Sequence, residues 1–312
     1  MAEQDGSHMR QPEMETEDQE KTEEERRKEM KEIAREAAAK EEDIGELAIE
    51  IVNGMRSHDP KVQISNAEKA RQLLSNPQPP IQQFIDAGIL PVLAACMNRN
   101  DLPHLQLEAT WAVTNIASGP TEYTYALVEA NHLPVLVDLL SNGRSKVQEQ
   151  AVWALGNIVG DGPDCRDQAL EEGIIRPLIE LLASPIQVPL RRQVCWVLTN
   201  LFRVKNPVMS DDDKKLVANA LKELVRHFDP QVQADALWAV AYFADLGSDY
   251  IDDLIGCGIT RELVQRLYSN DSKVIAAALR ATGTHSCGKR QPGTIQRESC
   301  FLISCQTHYT IV

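Results

Sequence analysis

Four tryptophans recur along the chain at a nearly constant spacing of 42 or 43 residues. They are Trp111, Trp153, Trp196 and Trp238. Prolines keep the same register at intervals of 43 residues, at Pro91, Pro134 and Pro177. A fixed period of this length is the signature of a repeat architecture, in which each unit packs against its neighbours. The sequence therefore predicts a stack of similar units.

Each period contains helical patterns and no strand pattern. The segment "LPVLVDLL" (133–140) precedes "SKVQEQAVWALGNIVG" (145–160), in which apolar residues recur with the spacing of a buried helical face. With a short helix before them, these segments make three helices in about 42 residues, which is typical of armadillo repeats. We therefore predict an all-α fold, a right-handed armadillo-repeat α-solenoid with about five to six repeats.

The repeat register divides the chain into three parts. Residues 1–42 are acidic and predicted to be partly disordered, residues 43–283 form the array, and residues 284–312 form a tail without repeats. Arg280 and Thr284 stand where the next tryptophan and asparagine would fall. We expect the sixth repeat to lose its third helix there and the tail to be disordered.

Charge and composition exclude several functions. The net charge is −14, and residues 1–50 alone hold 18 acidic and 8 basic side chains, which argues against nucleic-acid binding. No apolar run reaches the ~20 residues that a membrane span needs. The seven cysteines lack paired spacing, so we expect free thiols and a reducing compartment, the cytoplasm and nucleus.

The third helices carry a second pattern besides the apolar one. They contain "WAVTN" (111–115), "WALGN" (153–157), "WVLTN" (196–200) and "WAVAY" (238–242). Residues four apart share one helix face, which pairs each tryptophan with Asn115, Asn157, Asn200 or Tyr242. Three residues before the tryptophans, on the same face, stand Glu108, Gln150, Gln193 and Asp235. Stacked repeats would align these faces into one concave ladder.

The residue types of this ladder predict its ligand. A tryptophan ring attracts a cation and packs against the methylenes of a lysine. An asparagine amide both donates and accepts hydrogen bonds, so it can pair with a peptide backbone. Acids at the ends of the slots, Asp161 and Asp245, would take the ammonium groups. We therefore predict an extended peptide rich in lysine and arginine as ligand.

Residues 58–283 resemble the importin-α family of armadillo adaptors, which bind the nuclear localisation signals of the proteins that they transport. The resemblance rests on "WAVTNIASG", "EQAVWALGNIVGDG", "WVLTNLFRVKNP" and "ADALWAVAYFAD". It implies that the tryptophan–asparagine pairs of repeats two to four form the main signal-binding site. It also implies a lysine pocket made by Asp161, Thr124 and the Gly119 carbonyl, and a cation-repelling Arg203 at the edge of the site.

The chain departs from the family pattern in three places. The family's importin-β-binding segment is dense in arginine and lysine, whereas this N-terminal region is acidic, so importin-β binding is not expected from it. Pro120 stands where the family has a hydroxyl residue. The later repeats are missing or replaced, which suggests a truncated, alternatively spliced or divergent member.

Two other classes of function stay open as alternatives. The first is a non-transporting armadillo scaffold, or a truncated isoform that sequesters cargo. The second is a metal-dependent enzyme, whose only basis is a set of possible zinc ligands near the C-terminus: His285, Cys287, Cys300, Cys305 and His308. This spacing matches no ordinary zinc pattern, and no catalytic motif occurs. We therefore expect no enzymatic activity, no cofactor and no metal.

Overall fold

The computed structural model describes residues 23–287, and this range contains sixteen α-helices and no strand. The predicted all-α armadillo solenoid is confirmed. The helices are α1 (Glu23–Met55), α2 (Pro60–Leu74), α3 (Ile81–Asp86), α4 (Ile89–Met97), α5 (Pro103–Ala117), α6 (Thr121–Glu129), α7 (His132–Leu139), α8 (Ser145–Asp161), α9 (Pro163–Glu171), α10 (Ile175–Ala183), α11 (Val188–Arg203), α12 (Asp211–Val225), α13 (Pro230–Asp245), α14 (Ser248–Gly256), α15 (Thr260–Arg266) and α16 (Ser272–Cys287).

The chain divides into two compact units between Glu46 and Leu47. Within residues 23–46, only helix α1 is described, and the exposed residues identified there are mostly charged. The repeats lie in the second unit. The predicted boundary at residue 42 thus falls inside α1.

Three repeats have the predicted order of short, second and longer third helix. They are α3–α5, α6–α8 and α9–α11, and α14–α16 follows the same order. Each first and second helix of these repeats is joined through a residue of positive φ, at Gly88, Asn131, Gly173 and Gly258. Glycine and asparagine are the residues that adopt this conformation at least cost. The periodic spacing of these junction residues is therefore a backbone requirement of the repeat.

Repeat five corrects the expectation of three helices in every unit. It contains only α12 and α13, and residues 204–210 run between Arg203 and Asp211 without a helix. Asn206 has a positive φ of 62°, and Pro207 follows it. A left-handed residue and a proline both interrupt helical geometry, which explains the missing first helix.

The third helices form the spine of the second unit. Helices α2, α5, α8, α11, α13 and α16 pack one against the next in chain order. Proline stands within the first two positions of four of the six. Asp59 and Asp229 accept hydrogen bonds from backbone N–H groups at the starts of α2 and α13. The predicted apolar stripe of α8, which includes Val147, Ala151 and Leu155, is buried.

The sixth repeat keeps its third helix, contrary to expectation. Helix α16 runs from Ser272 to Cys287, past the predicted boundary at residue 283, and packs against α13. Val274, Ala277, Ala278 and Ala281 are fully buried. The loss of the tryptophan and asparagine therefore does not end the helix, because the buried face lies on other positions.

No helix in residues 23–287 has the length and apolar character that would let it cross a membrane.

Candidate functional site

All four tryptophans lie partly exposed on consecutive third helices. The exposed fractions are 36% for Trp111, 46% for Trp153, 36% for Trp196 and 39% for Trp238. Large aromatic side chains are highly buried on average, so four partly exposed tryptophans in one register indicate a surface with a role other than core packing. We call this surface, with Asn115, Asn157, Asn200 and Tyr242, the tryptophan face.

The three asparagines hold neighbouring third helices together. Asn115 Nδ2 donates to the carbonyl of Arg71 at 3.3 Å, Asn157 Nδ2 to that of Thr114 at 3.5 Å, and Asn200 Nδ2 to that of Gly156 at 3.0 Å. Each acceptor carbonyl belongs to the residue just before the position that corresponds to the asparagine in the preceding repeat. The amides therefore have a structural role that the sequence did not reveal, and only their remaining capacity is free for a ligand.

The exposure of the asparagines is uneven. Asn200 is 6% exposed, whereas Asn115 and Asn157 are half-buried. Asn115 Nδ2 also donates to Ser75 Oγ at 2.8 Å, which leaves its amide oxygen as the group with the greater capacity for a ligand.

A groove opens on the tryptophan face between repeats three and five. It is a groove of about 600 Å³ that we call the aromatic groove, lined by Trp153, Arg192, Gln193, Trp196, Thr199, Asp235, Trp238 and Tyr242. The rings of Trp238 and Tyr242 lie beside each other with centroids 6.3 Å apart. The groove thus contains three of the predicted tryptophans and the predicted Tyr242 and Asp235.

Some polar groups in and beside the aromatic groove lack hydrogen-bond partners within the described residues. Burial raises the pKa of the Asp235 carboxyl above its usual value, although Gln231 Nε2 donates to it at 2.7 Å. Among the described residues, the side-chain oxygens of Gln150 and Gln193 are buried and have no hydrogen-bond partner. A buried acceptor without a donor is costly, so these oxygens favour a ligand that brings N–H groups.

The position of Trp196 depends on a glycine in the preceding repeat. A Cβ atom built on Gly156 would collide with three carbons of the Trp196 ring. The indole therefore lies across the backbone of α8, in space that only glycine leaves free. Gly156 stands three residues after Trp153, and we call this register the plus-three position.

The three residues of the predicted lysine pocket differ in their exposure. Asp161 ends α8 and is exposed, and Thr121 Oγ1 donates to its Oδ1 at 3.0 Å. Thr124 is 1% exposed, and Gly119 is half-buried. The hydroxyl beside the aspartate is thus that of Thr121, one residue after Pro120, a contact that the resemblance did not point to.

Charged groups at the edges of the tryptophan face are paired within the chain. Arg203 Nη2 donates to the carbonyl of Gly160 at 2.7 Å, next to Asp161. Arg280, at the expected tryptophan position of repeat six, contacts Asp245 at 2.6 Å. Asp245, predicted to receive a ligand ammonium, therefore already has an internal cation.

Trp111 likewise has an internal cation. The guanidinium of Arg71 lies over its ring, 4.6 Å from the centroid, and Arg71 Nε contacts Glu108 Oε2 at 2.7 Å. Arg71 occupies the plus-three position of the first repeat, the register of Gly156. Sequence reasoning missed it because that repeat has no tryptophan of its own, but the 43-residue register was a sufficient signal.

Comparison with family models defines the class of protein. Residues 77–118, 120–160 and 162–203 match the armadillo/beta-catenin-like repeat. These ranges correspond to repeats two, three and four of the structure. The chain is an armadillo-repeat protein.

Comparison with curated proteins then defines its relatives. The chain is 39% identical to importin subunit alpha-1b of Oryza sativa subsp. japonica over 234 residues, which is 75% of this chain and 44% of the relative. It is also 39% identical to importin subunit alpha-3 of Caenorhabditis elegans over 214 residues, 68% of this chain and 41% of the relative. The chain is thus related to the importin-α subunits, and the match spans less than half of their length.

Solved structures share the fold over about three quarters of the chain. A designed armadillo repeat protein in complex with the peptide (KR)4 has a TM-score of 0.69 and 26% identity, covering 76% of this chain and 98% of its own. An engineered protein with 30% identity has a TM-score of 0.68 and covers 77% of this chain and 99% of its own.

Proposed function

We propose that this protein is a binding adaptor for nuclear protein import. It recognises nuclear localisation signals, which are rich in lysine and arginine, in an extended conformation on the tryptophan face. The observation that carries the proposal is the partial exposure of four tryptophans in one register on consecutive third helices. The main site residues proposed are the pairs Trp111/Asn115, Trp153/Asn157 and Trp196/Asn200, continued by Trp238 and Tyr242.

The chemistry of the face supports a basic ligand. Indole rings attract cations, each contributing roughly 0.5–2 kcal/mol. The buried oxygens of Gln150 and Gln193 need donors, and lysine and arginine side chains supply them. Asp161 and Asp235 add negative charge at two points along the face. The designed relative in complex with (KR)4 supports the same class of ligand.

The proposed role is binding without catalysis, since proteins of this family are typically non-enzymatic. Of the potential zinc ligands, Cys300, Cys305 and His308 lie outside the described residues, so the zinc hypothesis stays untested.

We propose that the protein works in the cytoplasm and nucleus. We also propose that the acidic residues 1–50 do not recruit importin-β, because that contact needs dense positive charge.

Charge reversal at Asp161 tests the proposed function. The Asp161→Lys variant should abolish detectable binding of a dye-labelled lysine-rich signal peptide, measured by fluorescence anisotropy. Truncating one partner of a desolvated charge pair costs about 2–5 kcal/mol, and reversing the charge costs at least as much. Glu180→Lys makes the same charge change on the second helix α10 and should leave binding within twofold of the parent.

Equal binding by the Asp161→Lys variant and the parent would show that the aspartate only accepts the hydrogen bond of Thr121. A pull-down with the same peptide, with and without importin-β, separates the two adaptor roles. Joint capture of importin-β indicates a transporting adaptor, and peptide capture alone indicates a protein that sequesters cargo.

A further inference from the structure

The carboxylates on and beside the tryptophan face differ in whether the chain itself neutralises them. Glu108 contacts an arginine of α2 at 2.7 Å, and Asp245 contacts an arginine of α16 at 2.6 Å. Asp161 forms no ion pair with any residue in the described range 23–287, and the group that donates to its Oδ1 at 3.0 Å is the neutral hydroxyl of Thr121. The negative charge of Asp161 is therefore open to a cation from outside the chain.

The position of Asp161 in α8 does little to hold its carboxylate. Asp161 is the last residue of the helix, and the C-terminal end of a helix carries partial negative charge that disfavours an acid. The residue is exposed, so core packing does not fix its side chain. Among the described residues, the hydrogen bond from Thr121 is the one that orients this carboxylate, and it leaves Oδ2 without a donor.

The Thr121 hydroxyl has a direction that the local sequence sets. Thr121 is the first residue of α6, and Pro120 precedes it with φ −54° and ψ 156°. The proline ring restricts φ, and a β-branched side chain in a helix has few χ1 rotamers. The hydroxyl is thus presented from a rigid helix start to the end of α8 in the same repeat.

A second hydroxyl on α6 makes a similar bond to a different carboxylate. Tyr125 lies one helical turn after Thr121, and its hydroxyl donates to Asp164 Oδ2 at 3.1 Å. Asp164 lies in the first turn of α9, where the helix itself favours a negative charge. Tyr125 therefore offers a matched control, because it ties the same helix to an acid that lies outside the third helices.

We propose that Thr121 is a positioning residue for the basic ligand. Its hydroxyl holds the Asp161 carboxylate in one orientation, with Oδ2 left free for a lysine ammonium. This inference rests on the proposed function and adds to it a residue that the resemblance does not point to. Thr121 brings no charge and need not touch the ligand. It acts by orienting the carboxylate before the ligand arrives, which lowers the cost of ordering that side chain on binding.

A double-mutant cycle tests this role in the full chain, with a dye-labelled peptide of ten lysines and fluorescence anisotropy at low salt. Thr121→Val removes the hydroxyl at nearly constant shape and should raise the dissociation constant about fivefold. Thr121→Ser keeps the hydroxyl and should restore tight binding. In an Asp161→Asn background, Thr121→Val should change the constant less than twofold, because the charge that it orients is gone.

Three controls separate positioning from charge and from folding. Tyr125→Phe removes the other hydroxyl of α6 and should leave the constant within twofold. Thr121→Val should keep the parent's thermal midpoint, since the residue is exposed. It should also keep the parent's dependence of affinity on salt, because it removes no charge, whereas Asp161→Asn should reduce that dependence.

Three results would overturn the inference while leaving the proposed function intact. The first is parent-like binding by Thr121→Val when Asp161→Asn loses affinity. The second is a loss from Thr121→Val that persists in the Asp161→Asn background, and the third is an equal loss from Tyr125→Phe; both would indicate a general effect on packing. Failure of the parent to bind the peptide would instead refute the proposed function, and this inference with it.

Discussion

At Asp235, charge burial and ligand binding make opposite demands on one residue. The carboxyl lines the aromatic groove, and burial raises its pKa above the usual value. Burial makes the charged form unfavourable for the folded chain, and the positive charges of Arg192 and Lys273 offset only part of this cost. The same charge attracts a ligand ammonium, so stability and binding should respond in opposite directions when it is removed.

The Asp235→Asn variant measures both effects. Its free energy of unfolding should equal or exceed that of the parent at pH 7, because the amide keeps the shape and needs no charge buried. Its affinity for a lysine-rich peptide should fall about tenfold, equivalent to about 1.4 kcal/mol. Denaturant unfolding and fluorescence anisotropy check the two outcomes. Lower stability with unchanged affinity would mean that the carboxylate has a structural role only.

The same carboxyl gives a pH dependence with a definite sign. Its folded-state pKa is raised, so the folded state binds the proton more readily than the unfolded state, and this group's contribution to stability falls as pH rises through that pKa. Peptide binding should change in the opposite sense and weaken as the pH is lowered through the same value. The pH dependence should be smaller in Asp235→Asn.

Gly156 and Gly283 form a matched pair at the plus-three position. Alanine normally stabilises a helix interior by up to about 1 kcal/mol relative to glycine. At Gly156 the added Cβ would collide with the Trp196 ring, whereas at Gly283 it meets nothing within 4 Å. We expect Gly283→Ala to raise stability and Gly156→Ala to displace the indole, lowering both stability and peptide affinity.

Thermal unfolding and peptide titration of these two glycine variants provide the test. If Gly156→Ala binds and folds as well as Gly283→Ala, the Trp196 indole has no fixed place on α8.

At the scale of helices, α16 stabilises the face that α13 presents to it. Four α16 residues from Val274 to Ala281 are fully buried, and so are Ala236, Leu237 and Val240 of α13. Apolar burial contributes about 25 cal/mol per Å². A helix that packs in this way cannot be removed without exposing its neighbour.

Two shortened chains isolate the contribution of α16, since both lack residues 288–312. The free energy of unfolding of the chain that ends at Asn270 should be several kcal/mol lower than that of the chain that ends at Cys287. The shorter chain should therefore unfold at a lower urea concentration. Circular dichroism against urea measures the difference. Equal midpoints would show that α16 adds no stability to the array.

At the scale of the whole molecule, most of the fold could be predicted from the repeat period. The register of Trp111, Trp153, Trp196 and Trp238 predicted helices, their order and their shared face, because residues four apart on a helix are neighbours whatever the repeat packs against. The two-helix fifth repeat was missed. Pro207 was a signal that the first helix of this repeat is missing. Prolines also stand near the ends of other helices in this sequence, so the signal was not specific.

The candidate site was predictable only where it depends on one helix. The tryptophan–asparagine pairs follow from spacing within a helix, and the members of each pair lie one turn apart on α5, α8 or α11. The contacts of Arg71 with Trp111, Thr121 with Asp161, and Arg280 with Asp245 join residues 35 to 40 positions apart. Such contacts depend on how one repeat lies on the next, which periodicity alone does not specify.

The most direct test of the central claim compares two exposed aromatic residues. Trp196 lies on the tryptophan face, and Phe228, 81% exposed, lies off it between α12 and α13. The dissociation constant of a lysine-rich signal peptide should rise at least tenfold in Trp196→Ala and stay within twofold in Phe228→Ala. Equal constants for the two variants would contradict the claim that the tryptophan face binds basic peptides.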